Sequence, residues 1–230
     1  MTLRDRIADS LRDEIASGAW RPGDRLPSET ALAARFGVHR HTLRAALARL
    51  AEDGVLRARR GAGTFVAAAP VEYALGRRTS YSQNLAGRMP ERRVLSLVTR
   101  GASDAEAAAL NLSAGAPVHA YDGISLSDGQ PIALFASVFP GWIAGLAEAL
   151  SEEGSVTAAL ASCGVPDYAR VESRIDARAA DAVQAGHLHL REGAPLARVT
   201  SLNAAPDKRP VERGRTWFAG ERVTLVVDHP

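Results

Sequence analysis

The sequence predicts an α+β protein in two parts: an N-terminal winged helix-turn-helix and a C-terminal antiparallel-sheet domain. Three observations predict it. Residues 1–66 read as three short helices and a hairpin, and hold 12 arginines against eight acidic residues, a net of +4. Residues 67–230 hold 16 basic and 18 acidic residues, a net of −2. They are dominated by apolar alternation of strand period. Third, Leu110-Asn-Leu-Ser-Ala-Gly-Ala-Pro117 recurs 78 residues later as Leu188-His-Leu-Arg-Glu-Gly-Ala-Pro195. A basic first third joined to an acidic remainder points to a nucleic-acid module coupled to something else.

Composition excludes several classes. An apolar fraction of 46% supports packed cores and argues against disorder. No apolar run approaches the roughly 20 residues of a membrane span, and no apolar h-region follows the opening Met-Thr-Leu-Arg-Asp-Arg, so a cytoplasmic location is expected. The single cysteine, Cys163, rules out an internal disulfide and reads as a small buried hydrophobe.

The first helix is marked by Leu3, Ile7, Leu11 and Ile15 and ends at Gly18. Residues 20–27 read as a connection turning at Pro22-Gly23. Ser28 is a good N-cap for a second helix, with Glu29 in its first turn, Leu32 and Phe36 inward and Gly37 as its stop. The third helix runs to Asp53, before Gly54. Leu43, Leu47 and Leu50 share one face with Ala46, and the opposite face carries His41, Arg44, Ala45 and Ala48. Arg40 and Thr42 flank its first turn. Small alanines let a helix come close to a polyanion, and arginines supply charge and bidentate donors. Taken alone, this helix reads first as an ordinary solvated amphipathic helix, and what lies on either side reverses that reading. The hairpin that follows, residues 55–66 around Arg59-Arg60-Gly61-Ala62-Gly63, makes the motif a winged one, with the third helix for the major groove.

These residues carry a resemblance. Gly23-Asp-Arg-Leu-Pro-Ser-Glu29, Leu32-Ala33, Phe36-Gly-Val-His-Arg-His-Thr-Leu-Arg44, Leu50, Gly54 and Gly61-Ala-Gly-Thr-Phe-Val66 together resemble the GntR family of bacterial transcriptional regulators. The resemblance implies DNA contacts for Arg40, His41, Thr42, Arg44 and Gly61. Arg35, Arg60 and Gly63 join them as candidates. Thr30 stands where the family often has Arg, and His39 stands where its N-cap is usually Ser, Thr or Asn.

The expected domains are 1–68 for DNA, 69–75 as a linker beginning in Ala-rich sequence, and 76–230 for an effector and dimerisation. In the last, strands are expected at 93–100, 118–127, 132–139, 171–177, 196–203, 211–218 and 223–228. Helices fit 104–110, 142–150, 156–162 and 179–187, with Ser103 and Glu106 as a capping box. The repeat implies a duplicated strand–helix–strand–strand unit: one antiparallel sheet, helices on one side, and a pseudo-twofold relation.

This second part resembles the effector domain of the HutC branch of the same family, related in fold to chorismate lyase. Leu112-Ser-Ala-Gly-Ala-Pro117, Ser127-Asp-Gly-Gln-Pro-Ile132, Pro210-Val-Glu212 and Ala219-Gly-Glu-Arg-Val223 carry it. Residues 78–85 and 216–222 look most like the regulators of phosphonate metabolism. The resemblance implies a homodimer on a near-palindromic operator and a small polar or anionic effector. Many relatives grip an acidic ligand with arginines on the strand before the Asp-Gly turn. Tyr121-Asp-Gly-Ile-Ser-Leu126 has none, so the alternatives for that grip are Arg77, Arg78 and Arg215. Candidate effector contacts are Arg78, Thr79, Ser80, Tyr81, Ser82, Asn84, Glu212 and Phe218. Glu212 aligns with Ala133 in the first repeat and matches the family's ligand-binding glutamate. His187 and His189 form a His-x-His pair without further ligands nearby, so no metal is expected. No cofactor motif or catalytic constellation is visible, and the expectation is a ligand-responsive repressor. The alternatives are a lyase-like enzyme carrying a DNA-binding domain and an architectural DNA-binding protein.

Overall fold

The computed structural model describes residues 2–59, 63–67, 70–76, 85 and 89–227. The chain divides into two compact units, Met1–Ala69 and Pro70–Pro230.

The first unit holds helices α1 (Leu3–Ala16), α2 (Glu29–Phe36) and α3 (Arg40–Glu52), then strands β1 (Leu56–Arg59) and β2 (Gly63–Val66). Its core is the stripe the sequence marks: Ile7 and Leu11 of α1, Leu32 of α2, and Leu43, Leu47 and Leu50 of α3 are all buried. Thr2 and Asp5 form a capping box on α1, and the Ser28 side chain accepts from the Ala31 N–H on α2. His39 caps α3 without a side-chain hydrogen bond. Ion pairs Arg49–Asp5 and Arg12–Asp53, at 2.5 and 2.8 Å, cross from α1 to α3 and its end. The hairpin pairs Leu56 with Val66 and Arg59 with Gly63. The segment before α2 lies along it, the Leu26 N–H donating to the Thr64 carbonyl.

The second unit is built on a six-stranded antiparallel sheet. Its strands are β4 (Pro90–Gly101), β5 (Pro117–Ser127), β6 (Gln130–Pro140), β7 (Ala169–Ala179), β8 (Pro195–Ala204) and β9 (Pro210–Ala219). The order β4-β5-β6-β9-β8-β7 is its own mirror about the β6–β9 seam. Helices α4 (Asp104–Leu110) and α7 (Ala182–Leu188) follow the outer strands, while α5 (Leu146–Glu152) and α6 (Val156–Ser162) lie between the halves in sequence. The duplication holds to the hydrogen bond. Gly101 faces Pro117 as Ala179 faces Pro195, and Ser96 faces Asp122 as Arg174 faces Thr200. α4 and α7 both end on a left-handed non-glycine residue, Asn111 and His189. The expected capping box on α4 is present, and Asp181 with Gln184 forms its counterpart on α7.

Three expectations need correction. Helices occupy both faces of the sheet. α4 packs with Val118 and Val138, and α7 with Leu134, Leu196 and Trp217. Tyr121 and Phe139 of the opposite face are covered by Leu146, Leu150 and Leu160 of α5 and α6. Those two helices belong to a connection with no copy in the second half. The proposed linker at 69–75 contains a strand, β3 (Val71–Ala74), which pairs in parallel with β10 (Val223–Val226). Its partner is over 140 residues away, so local sequence gives no sign of it. Finally, α5 begins at Leu146 rather than residue 142, and α7 at Ala182 rather than 179, because β7 runs on to Ala179 and Asp181 is the cap.

Candidate nucleic-acid interface and effector site

α3 buries Leu43, Ala46, Leu47 and Leu50 and leaves Arg40, His41, Arg44 and Ala48 exposed, with Thr42 and Ala45 half-buried. The outward face is the one the periodicity assigns. Arg44 has 68% of its side chain exposed, and its Nε donates to Glu29 Oε2 at 2.6 Å. That contact orients Arg44 beside the start of α2. Arg35 is engaged differently. Its guanidinium makes two bonds to the Glu14 carboxylate, at 3.0 and 2.5 Å, and lies over the Phe36 ring. The hydrogen bond from Arg35, together with one from Trp20, holds the Glu14 carboxyl below the usual range. Arg35 thus ties α2 to α1. At the wing, Gly63 has φ +107, and a Cβ there would meet Arg25 Nε at 3.0 Å. The positive φ calls for glycine, while the contact falls on the end of a flexible side chain. That contact places the exposed Arg25, which no sequence signal singled out, against the wing strand. Arg60 and Gly61 lie outside the described residues.

Of the expected effector contacts, Arg78, Thr79, Ser80, Tyr81, Ser82 and Asn84 lie outside the described residues, as does Arg77. Glu212 stands on β9. Its Oε1 accepts from Ser137 Oγ and its Oε2 from Asn203 Nδ2, both at 2.6 Å. Both carboxylate oxygens are therefore fixed in direction from neighbouring strands. The alternation of β9 puts Glu212, Gly214, Thr216 and Phe218 on this face, since Gly214 pairs with Ser137 and Ser201.

Two arginines missing from the sequence reading stand on the same face. Arg92 pairs with Ser125 and lies over the Phe135 ring at 5.6 Å. The ring in turn fills the space above Gly123, where a Cβ would meet it at 2.5 Å. Arg170 pairs with Asn203, and its Nε and Nη1 are buried without a hydrogen-bond partner among the described residues. Arg92, Arg170 and Glu212 all act on the Tyr168 hydroxyl, whose pKa is pushed up by burial first and by Glu212 second. A signal existed at neither arginine, because each comes from an outer strand far from Glu212 in sequence.

Two further expectations resolve. Arg215 alternates onto the opposite face with Arg213, so it is not available to a ligand held by Glu212. Phe218 is 3% exposed, with its ring centroid 4.8 Å from that of Tyr73 on β3. It supports β3 from below and has no open surface of its own.

Comparison with known proteins agrees with both parts. The model of gntR-family bacterial regulatory proteins matches residues 3–66, and that of the UTRA domain matches residues 85–224. The chain is 40% identical to "Uncharacterized HTH-type transcriptional regulator RB1450" of Rhizobium meliloti (strain 1021), over 99% of this chain and 95% of that one. It is 31% identical to "Probable transcriptional regulator PhnF" of Escherichia coli (strain K12), over 99% and 95%. The crystal structure of PhnF from Mycobacterium smegmatis superposes with a TM-score of 0.68 at 28% identity, covering 100% of this chain and 99% of that one. With a winged helix-turn-helix in its first unit and a UTRA domain in its second, the chain belongs to the gntR family of bacterial regulatory proteins, as a transcriptional regulator whose operator binding responds to a small-molecule effector.

Proposed function

We propose that α3 reads operator bases with Arg40, His41, Thr42 and Arg44, while the wing around residues 60–63 touches the backbone. The observation that carries this is the two-sidedness of α3: its apolar side is used up in the core, and its basic side is exposed. Arg35 is assigned to holding α1 and α2 together. Each good bidentate base contact is worth roughly 1–3 kcal/mol of discrimination. Arg44→Ala therefore weakens binding to the operator more than binding to random DNA in a fluorescence-anisotropy titration. Equal losses on both would mean that Arg44 touches phosphate alone.

The effector binds over the Glu212 face. A carboxylate with both oxygens fixed takes a ligand donor, an amine or hydroxyl, and Arg92 and Arg170 take an oxyanion. That combination favours a small molecule carrying both groups, and aminophosphonates, phosphate esters and amino-acid catabolites are the first to screen by thermal shift. The relative named PhnF adds weight to the phosphonates. Closure over this face presses on Phe218 and so on Tyr73 of β3, the first strand after residue 70, which links ligand to the chain leading from the DNA-binding unit.

The protein works as a cytoplasmic homodimer on a near-palindromic operator, without catalysis. One winged helix reads too few base pairs for useful specificity. The outer strands β4 and β7 expose Val94, Leu95 and Val98, and Val171 and Ile175, which supports the effector unit as the source of dimer contacts. A monomer at micromolar concentration in sedimentation, with one protomer per operator, would overturn this part.

A further inference from the structure

The sheet face bearing α4 and α7 holds a cleft of 170 Å³, lined among others by Arg100, Glu106, Asp122, Ala136, Arg213 and Arg215. Its charges do not cancel. Arg100 and Glu106 neutralise each other through two bonds of 2.7 and 2.8 Å. Burial pushes the Asp122 carboxyl up. Arg213 and Arg215 stand side by side on β9 opposite Val138 and Ala136, which offer them no acid. Among the described residues, neither guanidinium is ion-paired, and Arg215 Nε is buried without a hydrogen-bond partner. The next cation, Arg198, is already bound to Asp176. Burial, then the charges of Arg213 and Arg198, depresses the Arg215 pKa. An anion between the two guanidiniums would relieve that repulsion and satisfy the buried donor.

We propose that this cleft is a second ligand site, separate from the Glu212 face, taking a compact oxyanion of phosphate size gripped by Arg213 and Arg215. A volume of 170 Å³ admits a five-atom oxyanion with water, each water occupying about 30 Å³. Adjacent guanidiniums present the forked donors that oxyanions accept. The site lies back to back with the effector face. A Cβ at Gly214, between the two arginines, would meet Ser201 Oγ at 2.8 Å and Glu212 Oε1 at 3.5 Å. An anion that draws on β9 from one side therefore alters the setting of Glu212 on the other, and the linkage is reciprocal.

The test is equilibrium dialysis of the full-length protein against radiolabelled inorganic phosphate at constant ionic strength. The wild type binds one phosphate per protomer saturably, and sulfate competes while chloride does not. Loss of a charge-assisted contact in Arg213→Gln or Arg215→Gln weakens binding about tenfold or more. Arg213 is only half-buried, so its variant decides the matter if Arg215→Gln does not fold. Absence of saturable binding in the wild type, or wild-type binding by Arg213→Gln, overturns the proposal. Loss in Arg170→Gln with none in Arg213→Gln places the phosphate on the effector face and overturns it equally.

Discussion

The two halves of the effector sheet are copies in backbone and strangers in charge. β4-β5-β6 and β7-β8-β9 share order, register and helix caps. Gly141 and Gly220 donate to the matching carbonyls of Pro117 and Pro195, and Phe139 and Phe218 fill matching core positions. Counted from Pro131 and Pro210, however, the positions of Ala133, Leu134, Ala136 and Ile143 in the first half are taken by Glu212, Arg213, Arg215 and Arg222 in the second. The scaffold is fixed by hydrogen bonding and packing, which tolerate little change in volume or pairing. The positions that differ sit around the β6–β9 seam, where the second copy alone carries ionisable groups. Both halves send an arginine to the Glu212 face, Arg92 and Arg170 at matching positions, but the carboxylate comes from the second half alone.

The largest expected break in this comparison is at Arg222. It is 4% exposed, and its guanidinium donates to the carbonyls of Pro131, Leu188 and His189. It joins the end of α7 to the start of β6, where Ile143 does its packing as a plain hydrocarbon. Arg222→Ala strands three acceptors and should cost about 3–5 kcal/mol, read as a lower urea midpoint. Ile143→Val should cost only about 1 kcal/mol. A mild effect at Arg222 would mean the two sites are equivalent after all.

The caps give a smaller and symmetric effect. Ser103→Ala on α4 and Asp181→Ala on α7 should each cost about 1 kcal/mol, since each breaks a capping box in the same place in its copy. A cap that matters in one half only would argue against a shared scaffold.

The smallest effect depends on pH. The Arg100 hydrogen bond holds Glu106 down to about 2 from an ordinary 4.5, whereas its counterpart in the second half is the neutral Gln184. A depressed carboxyl stabilises the fold above its unfolded value and loses that contribution as pH falls through the folded one. Stability measured from pH 4.5 down to 2 should therefore decline less steeply in Glu106→Gln than in the wild type. An unchanged slope would show that the pair contributes nothing.

The first unit was legible almost residue by residue, because each of its signals is local: Ser28 caps α2, Gly37 ends it, and the leucine spacing of α3 settles which side is buried. In the second unit the strands and the duplication were legible for the same reason. What was not legible comes from strands that meet only in three dimensions. Arg92 and Arg170 reach the Glu212 face from opposite edges of the sheet, and Arg215 is turned away by alternation once the register of β9 is known. The burial of Phe218 was not legible either, because β3 covers it through a parallel pairing with β10. Arg222 gave no sign of burial, since arginine is almost never fully buried without partners and its partners are backbone carbonyls.

The central claim is that the second copy carries the response to effector through Glu212. The direct measurement is release of a fluorescent operator duplex by the strongest ligand from the thermal-shift screen, comparing wild type with Glu212→Gln. Glutamine keeps the side chain's shape and can still bond to Ser137, so the fold is retained. The account predicts that the variant binds ligand-free operator like the wild type and is no longer released. Release of the variant at the wild-type ligand concentration would contradict it and place the effector away from Glu212.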